Sequence, residues 1–350
     1  MEYTVLARKC RPQRFEDILG QESITRVLRN AIKKERVAHA YIFSGPRGVG
    51  KTSTARVLAK ALNCKKGTSE TPCNECSNCL EINEGNNMDV IEIDGASNRG
   101  IDNIRELREN VMFVPANSPY KVYIIDEVHM LSKEAFNALL KTLEEPPKHI
   151  KFIFATTEPF RVPDTILSRC QNFHFKLIPD IVIRERLSEI LEEEKVSFDE
   201  KAIDLIARSA EGSMRDAESI LDKVITYCEG TITYKDAVDI IGVVDEDILF
   251  GIAQAAAESD AEKAYMIIQS IIRENKDAYK IVQNLLDFFR KILVEKLKDR
   301  DSGKNTSRSR LALLSDKFSM NQVIYIMELL AGVEGRIKNS PSPYVYVEIM

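Results

Sequence analysis

The chain has 350 residues, of which 44% are hydrophobic and 29% are charged, and its formal net charge is -5. This length accommodates two or three domains, and the composition suits a soluble globular protein with real cores. A free-standing nucleic-acid binder is usually basic, so contact with DNA or RNA would have to come from local patches or from partners.

No apolar stretch at the N-terminus has the length of a signal-peptide core, and no apolar run is long enough to span a membrane. We therefore expect a cytoplasmic protein. Its seven cysteines are then not expected to form structural disulfides, and the crowding of four of them between Cys64 and Cys79 needs another explanation.

Short apolar runs alternate with helical patterns through the first half of the chain. The predicted strands are residues 40–44, 89–94, 120–126, 151–155 and 171–176. The predicted helices are residues 50–63, 101–113 and 132–145, and the last is stopped by two prolines. Apolar strands separated by helices predict an α/β domain, with a parallel sheet covered by helices on both faces.

The strand pattern fades after Pro179, and the rest of the chain is predicted to be helical. We expect an α/β domain at 1–178, a small helical domain at 179–242 and a second all-α domain at 243–350. The last five residues resemble the interior of an apolar helix, without a cap or a polar tail. We therefore expect the natural protein to continue past Met350.

Residues 45–52, GPRGVGKT, match the phosphate-binding pattern G-x-x-x-x-G-K-[ST] in full. The segment follows a predicted strand and opens a predicted helix, a context that argues against a chance match in a glycine-rich turn. Glycines let backbone N–H groups turn toward phosphates, and the helix N-terminus adds partial positive charge. Lys51 is expected to reach the β- and γ-phosphates of ATP, and the Thr52 hydroxyl to bind Mg²⁺.

Residues 124–129, IIDEVH, stand at the end of a predicted strand. Asp126 at this edge is expected to hold the Mg²⁺ shell, and Glu127 to polarise the attacking water beside the γ-phosphate. The alternative is a solvated Asp-Glu pair at a strand end. We interpret His129 as structural rather than chemical.

The cysteine cluster has the spacing C-x8-C-x2-C-x2-C, formed by Cys64, Cys73, Cys76 and Cys79. Four thiolates in one short polar segment favour a closed, structural Zn²⁺ site that supplies folding energy to the segment. The alternatives are an iron–sulfur cluster, which the upstream position of one cysteine and the lack of Cys-Pro disfavour, and free buried thiols.

Residues 97–105, SNRGIDNIR, open a predicted helix. Its N-terminal amides, with Arg99 and Arg105, are candidates for holding a DNA phosphate. On the residues alone, a solvated helix start capped by Ser97 or Asn98 is the favoured alternative.

Taken together, these motifs resemble those of the AAA+ clamp-loader ATPases of bacterial DNA polymerase III. Residues 126–129 resemble the Walker-B box of that family, and Thr157 stands where the family places its sensor 1. Residues 168–170, SRC, look like the motif whose arginine, here Arg169, reaches into a neighbouring subunit's ATP site. Residues 212–216, GSMRD, resemble sensor 2, whose arginine, here Arg215, contacts the γ-phosphate of its own subunit.

Residues 11–15 and 20–22 are similar to the family's N-terminal box, which packs on the adenine. Cys10 departs from the pattern, because an aromatic residue is expected there. The resemblance implies the catalytic residues Lys51, Glu127, Thr157, Arg169 and Arg215. It implies an ATP-binding set of Ala7, Arg11, Pro12, Gly45, Pro46, Arg47, Gly48, Val49, Gly50, Lys51, Thr52, Ser53, Met214 and Arg215.

The residues themselves leave alternatives open at three of these positions. Arg169 would otherwise be an ordinary exposed arginine. Arg215 would form a helix-surface ion pair with Asp216 or Glu218. Thr157 would satisfy a backbone group at a strand end.

The resemblance covers nearly the whole chain, most strongly residues 1–216. It implies a small helical lid at 179–242, a helical collar at 243–350 through which subunits assemble, ATP and Mg²⁺ as cofactors, and a structural zinc module at 64–79. It also implies a pentameric ring with delta and delta-prime subunits and other copies of this chain, which loads the beta sliding clamp on primer-template DNA. Corresponding helices line the inner channel of such rings, which points Arg99, Asn103 and Arg105 toward DNA.

A C-terminal extension would link such a protein to the polymerase core and the replicative helicase. The alternatives to a clamp-loading enzyme are an ATP-binding scaffold and another AAA+ machine, such as a branch-migration motor. The intact Lys51, Asp126, Glu127 and Arg169 disfavour the first, and the cysteine insertion and all-helical C-terminal part disfavour the second.

Overall fold

The structure is a computed structural model that describes residues 5–97, 111, 113–228, 230–273, 277–298, 309–337 and 340–349. The chain divides into two compact units, Met1–Ile232 and Thr233–Met350. Within the described residues, no helix is long and apolar enough to cross a membrane. The predicted helix at 101–113 lies outside the described residues, except for residues 111 and 113.

A five-stranded parallel sheet forms the centre of the first unit. Its strands are β1 (Ala40–Ser44), β2 (Val90–Asp94), β3 (Lys121–Asp126), β4 (Ile150–Thr156) and β5 (Gln171–His174). The order across the sheet is β2-β3-β4-β1-β5, and every neighbouring pair is parallel. The predicted α/β fold is confirmed, and each predicted strand lies within two residues of the observed one.

Side chains of alternate strand residues enter two separate cores, one on each face of the sheet. Tyr41 and Phe43 of β1 belong to the core on one face, and Ala40 and Ile42 belong to the core on the other. Burial on both faces explains why these strands are apolar throughout instead of alternating with polar residues.

Helices and short 3-10 turns cover the two faces. The helices are α1 (Leu6–Lys9), α2 (Glu22–Lys33), α3 (Lys51–Asn63), α4 (Ser77–Glu84), α5 (Lys133–Glu144) and α6 (Asp164–Leu167). The 3-10 turns are Phe15–Asp17, Val128–Met130 and Pro159–Arg161. Apolar residues of α2 and α3 fill one core, and those of α5 fill the other. Helix α5 begins where the Ser132 hydroxyl accepts from the Ala135 N–H, and it ends just before the two prolines.

Three helices complete the first unit, namely α7 (Asp180–Glu193), α8 (Glu200–Ser209) and α9 (Met214–Tyr227). Their inward faces are apolar, with Leu187, Ile206 and Leu221 fully buried. The Ile178 N–H donates to the Gly212 carbonyl at 3.0 Å. This hydrogen bond connects the segment before α7 to the loop between α8 and α9. The Ser213 hydroxyl caps α9 by accepting from the Asp216 N–H at 3.3 Å.

In the described residues of the second unit, all the named secondary-structure elements are helices. Its helices are α10 (Tyr234–Ile241), α11 (Glu246–Glu258), α12 (Ala261–Arg273), α13 (Ala278–Lys298), α14 (Arg310–Asp316), α15 (Met320–Ile337) and α16 (Pro343–Ile349). A core of apolar side chains joins them, and Phe288 and Phe289 of α13 make edge-to-face contacts with Phe250 and Phe318. The all-α character predicted for residues 243–350 is confirmed, whereas the domain boundaries at 178 and 242 stay predictions.

Candidate functional site

The loop between β1 and α3 carries the phosphate-binding pattern, and its glycines are required by close approaches. Gly45 has φ +139°, and a Cβ there would lie 2.4 Å from the Phe175 carbonyl oxygen. Gly48 has φ +75°, and its Cβ would lie 1.9 Å from the Ser213 hydroxyl oxygen. A side chain at either position would be strained and would clash, so only glycine allows the loop to pass this close to its neighbours.

Lys51 opens α3, and its side chain is only 6% exposed. Its Nζ donates to the Gly45 and Pro46 carbonyls at 2.8 and 2.6 Å. Burial lowers the pKa of this ammonium, and the nearby carboxylates of Glu127 and Asp126 oppose that shift. Lys51 is thus a buried cation, and two carbonyl groups of the loop hold its ammonium in place.

Thr52 and Asp126 stand side by side although 74 residues separate them in the sequence. The Thr52 hydroxyl donates to Asp126 Oδ2 at 2.7 Å, and Asp126 Oδ1 accepts from the Glu127 N–H at 2.9 Å. Asp126 ends β3, and Thr52 lies in the first turn of α3. A hydroxyl and a carboxylate oxygen at this separation are the type of donors that Mg²⁺ prefers, so the pair fits that ion.

Glu127 follows Asp126 in a left-handed backbone conformation, with φ +45°. Its Oε2 accepts from the Thr157 hydroxyl at 3.1 Å and lies 3.4 Å from His129 Nδ1. A non-glycine residue at positive φ is strained, and such strain persists where the surroundings fix it. The turn therefore points the Glu127 carboxylate toward Thr157, and the hydrogen bond holds the two side chains together.

His129 is buried among polar groups beside this turn. Its Nδ1 lies 2.9 Å from the Thr156 hydroxyl oxygen, and its Nε2 lies 3.3 Å from a Glu158 carboxylate oxygen. The contacts join β4 to the turn after β3, which agrees with the structural interpretation of His129. Gly95 is also needed here, because a Cβ would lie 2.6 Å from the Glu127 carbonyl oxygen. Gly95 belongs to no local sequence motif, so its role could not be predicted from the sequence.

A cavity of about 340 Å³ opens over this loop and brings most of the predicted nucleotide residues together. Gly45 and Pro46 do not line it, although their carbonyls hold Lys51. The predicted residues that line it are Ala7, Arg11, Pro12, Arg47, Gly48, Val49, Gly50, Lys51, Thr52, Ser53, Asp126, Glu127, Met214 and Arg215. The lining residues that the sequence analysis missed are Cys10, Asp17, Ile18, Leu19, Glu92, Ile178, Arg186 and Glu218. Of these, Glu218 was detectable, because it follows Met214 by four residues and so shares its helix face.

The helical layer closes one side of the cavity through the start of α9. The Met214 N–H donates to the Gly48 carbonyl at 3.1 Å, which ties α9 to the phosphate loop. Arg215 is exposed and lines the cavity. In the part of the chain that the structure describes, it makes no ion pair with Asp216 or Glu218, so the surface-pair alternative is not what the structure shows.

Arg169 lies outside this cavity, in the short segment between α6 and β5. Its guanidinium forms an ion pair with Glu144 at 2.6 Å and donates to the Thr165 carbonyl at 2.8 Å. One third of the side chain is exposed. An arginine in this position does not serve the cavity of its own chain, and it is accessible from outside.

The four clustered cysteines converge where α3 ends and α4 begins. Their Sγ atoms all lie within 4.8 Å of one another, and those of Cys73 and Cys79 are 4.0 Å apart. Four sulfurs at about 2.3 Å from a tetrahedral Zn²⁺ would be about 3.8 Å apart, so the donor set fits zinc. Backbone N–H groups of Glu75 and Cys76 lower the pKa of the Cys73 thiol to about 6, whereas burial raises the pKa of Cys79.

Lys60 links the cysteine segment to the N-terminal wall of the cavity. It is buried on α3, and its Nζ donates to Asn74 Oδ1 at 2.8 Å and to Gln13 Oε1 at 2.7 Å. Gln13 in turn donates to the carbonyl of Arg11, which lines the cavity. Burial lowers the pKa of Lys60 to about 8. Three sequence-distant segments therefore meet at one ammonium.

The predicted DNA contacts Arg99, Asn103 and Arg105 lie outside the described residues and stay predictions.

Family sequence profiles match almost the whole chain. The family described as DNA polymerase III, delta subunit, matches residues 20–179. The family described as DNA polymerase III clamp loader subunit, ATPase lid domain, matches residues 182–230. The family described as DNA polymerase III subunits gamma and tau domain III matches residues 232–350.

Curated relatives agree with these profiles. The chain is 47% identical over 296 residues to DNA polymerase III subunit tau of Bacillus subtilis, covering 85% of this chain and 53% of the relative. It is 44% identical to subunit tau of Escherichia coli, covering 89% and 49%. It is 43% identical to DNA polymerase III subunit gamma of Buchnera aphidicola, covering 82% and 80%. The chain thus spans about half the length of the tau relatives and most of the gamma relative.

Among solved structures, the fold is similar to the Thermotoga maritima RuvB Holliday junction branch migration motor. The TM-score is 0.51 at 18% identity, over 70% of this chain and 78% of that one. At this identity the likeness shows the fold alone.

Proposed function

The chain belongs to the gamma/tau family of DNA polymerase III clamp-loader subunits, and from that premise we propose that it is the ATP-hydrolysing subunit of a bacterial clamp loader. ATP binding drives opening of the sliding clamp, and primer-template DNA triggers the hydrolysis that releases the clamp on DNA. One observation carries the proposal. Lys51, Thr52, Asp126 and Glu127 all line one nucleotide-sized cavity, and Thr157, which is not among the lining residues, donates a hydrogen bond to Glu127.

We assign the phosphate chemistry to the residues at the loop end of the cavity. Lys51 leaves the Gly45 and Pro46 carbonyls and turns its ammonium to the β- and γ-phosphates. Thr52 and Asp126 hold Mg²⁺, which when bound neutralises charge on the phosphates. Glu127 accepts a proton from the attacking water as a general base.

Thr157 and Arg215 complete the site within the same chain. The Thr157 hydroxyl holds the Glu127 carboxylate in place by donating to Oε2. Arg215, exposed at the cavity rim, pairs with the γ-phosphate and ties α9 to the nucleotide. The presence or absence of the γ-phosphate thereby affects the position of the helical lid formed by α7, α8 and α9.

Arg169 serves a neighbouring subunit in this proposal. A guanidinium supplied in trans stabilises charge on the γ-phosphate oxygens and contributes about 10³–10⁵ to the rate in P-loop NTPases. Its place outside its own cavity and its exposure support this role. The ring partners are delta and delta-prime subunits and further copies of this chain, working in the bacterial cytoplasm at the replisome.

The test is ATP hydrolysis by the full chain mixed with delta and delta-prime subunits, with and without beta clamp and primer-template DNA. We expect strong stimulation by clamp plus DNA, and loss of that stimulation in Arg169→Ala. Glu144→Gln is the matched control, because it breaks the same ion pair and leaves the guanidinium in place. A rate that ignores clamp and DNA would contradict the proposal, and equal losses in both variants would contradict the trans role.

We also propose that Cys64, Cys73, Cys76 and Cys79 hold one structural Zn²⁺. The sulfur separations support it, as does the lack of an apolar core in the polar segment between them. Elemental analysis should find about one zinc per chain in the purified protein and none in Cys76→Ser. Cys228→Ser is the control, since that cysteine lies far outside the cluster. An iron content, or unchanged zinc in Cys76→Ser, would overturn the assignment.

A further inference from the structure

The nucleotide cavity contains one buried acidic side chain that the proposed phosphate chemistry does not use. Glu218 lines the cavity from α9, one helical turn after Met214, and is 7% exposed. Within the described part of the chain, its carboxylate has no hydrogen-bond partner, and only burial and the charge of Arg186 act on it. Its oxygens are not among the fully enclosed polar atoms of the described residues that have no partner, so the carboxylate opens into the cavity, where a ligand can supply a donor.

The cavity has two chemically different ends. The phosphate loop, Lys51 and Asp126 form a polar end, whereas Cys10, Ile18, Leu19 and Ile178 provide apolar lining. Glu218 belongs with the second group, because α1 packs against α9 and the Glu218 charge acts on the Cys10 thiol. Apolar lining beside a buried acceptor suits a purine ring that bears an amino group.

Arg186 is the cation whose charge acts on Glu218, but its guanidinium forms ion pairs with other residues. Its guanidinium lies 2.8 Å from a Glu189 oxygen and 3.8 Å from a Glu193 oxygen, on its own helix α7. The charge of Arg186 lowers the pKa of Glu218, but burial has the larger effect. The net result is a pKa raised to about 7. The groups that face Glu218 are therefore Arg186 from α7 and Cys10 from the segment after α1, and neither forms a hydrogen bond with it.

We propose that Glu218 determines nucleotide specificity, with a carboxyl oxygen accepting a hydrogen bond from the exocyclic 6-amino group of adenine. The inference rests on the proposed ATP site and adds the residue that reads the base. Guanine presents a 6-oxo group at the same place, so above pH 7, where the Glu218 carboxyl group is ionised, two acceptors would face each other. A site built to pair with a substrate N–H rejects an analogue that lacks it far more strongly than shape alone allows.

The experiment measures equilibrium dissociation constants of the full chain for ATP, GTP and purine riboside triphosphate, which lacks the 6-amino group. We expect wild type to bind ATP at least about tenfold more tightly than the other two. Glu218→Ala should weaken ATP about tenfold and abolish the difference between ATP and purine riboside triphosphate. Glu218→Gln should still bind ATP, because its amide oxygen accepts from the 6-amino group. It should bind GTP more tightly than wild type does, because its amide nitrogen donates to a 6-oxo group.

Glu192→Gln is the matched control, since it removes one glutamate charge from an exposed position of the same helical layer. It should leave all three constants within twofold. Unchanged ATP-to-GTP and ATP-to-purine ratios in both Glu218 variants would overturn the inference while leaving the ATP site intact. Failure of wild type to bind ATP at millimolar concentration would overturn the proposed function itself, so the two failures are distinguishable.

Discussion

Two charged side chains at the phosphate end of the cavity, Lys51 and Asp126, have protein partners that a nucleotide and its metal ion would replace. The Lys51 ammonium donates hydrogen bonds to two carbonyls of its own loop, and the Thr52 hydroxyl donates one to an oxygen of Asp126. These contacts keep buried charges satisfied, because an unpaired buried charge is more costly than any single hydrogen bond. Binding is thus an exchange of partners at positions that are already set.

The hydrogen bond from Thr157 to Glu127 provides a test of positioning at this scale. Thr157→Val keeps the shape and removes the hydroxyl, so the Glu127 carboxylate is no longer held. Because a hydrogen bond to a charged group contributes about 1.5–3 kcal/mol, we expect kcat to fall about tenfold or more. The dissociation constant for ATP should change less than twofold. Thr226→Val is the control, because its hydroxyl bonds only to a carbonyl on an exposed helix face. Weaker ATP binding at unchanged kcat would contradict the positioning role.

The buried Glu218 predicts an unusual dependence of stability on pH. Burial raises its pKa in the folded chain from the ordinary 4.5 to about 7. Between these values the folded state holds a proton that the unfolded state has lost, so the free energy of unfolding falls as pH rises through this window. Glu218→Gln stays neutral and should escape this loss. Its Tm should match wild type near pH 4.5 and exceed it by about 3 °C or more at pH 8. A Tm difference that is constant with pH would show that the Glu218 pKa is not raised.

The sequence could predict the chemistry of individual residues only where a local motif carries it. Lys51, Thr52 and Asp126 come from such motifs, and the structure brings all three to one cavity. The spacing of Glu218 from Met214 predicts only that the two share a helix face. Its burial could not be predicted, because a glutamate in an amphipathic helix is usually solvated and this burial depends on α1, which is far away in the sequence. Among the described residues Arg215 forms no ion pair, and this could not be predicted either, since several acidic residues are close to it in the sequence.

At the scale of elements, the phosphate loop and α9 are in direct contact. The Met214 N–H bonds to the Gly48 carbonyl, and Gly48 leaves no room for a side chain beside Ser213. The loop and the first turn of α9 therefore move together, and anything that repositions one repositions the other.

Gly48→Ala tests this coupling. Its Cβ would enter the space of the Ser213 hydroxyl, so we expect α9 to be displaced and ATP affinity to fall more than about tenfold. Gly85→Ala is the matched control, because Gly85 has a similar φ of +81° but open space around a Cβ. It should cost about 1–2 kcal/mol of stability through backbone strain and leave ATP affinity unchanged. Equal effects of the two variants on ATP binding would contradict the coupling.

The elements themselves were largely predictable, because buried parallel strands are short apolar runs bounded by turns. Their order across the sheet was not. The order places β1 between β4 and β5, and it depends on which faces the helices cover rather than on any local pattern. The link through Lys60 was hidden for a similar reason, since a lysine within a helix gives no sign that Gln13 and Asn74 will meet it.

For the whole molecule, every residue that lines the cavity lies in the first compact unit. A fragment of residues 1–242 should therefore bind ATP within about twofold of the full chain. It should not assemble with delta and delta-prime subunits, because we assign assembly to residues 243–350. Equilibrium ATP binding and size-exclusion chromatography of the mixtures check the two parts. Assembly by the fragment would contradict the assigned collar, and loss of ATP binding would contradict an independent nucleotide unit.

The sheet order has a consequence for how the protein emerges from the ribosome. The two strands that flank β1 are β4 and β5, which begin at Ile150 and Gln171. At a synthesis rate of about 5–20 residues per second, β1 therefore waits roughly 5 to 20 seconds before either flanking strand exists. During that interval the apolar strand and its phosphate loop have no completed fold around them, while β2 and β3 already have each other. Nucleotide cannot protect the nascent chain before β5 is made, so the first half of the molecule is the part that we expect chaperones to hold during translation.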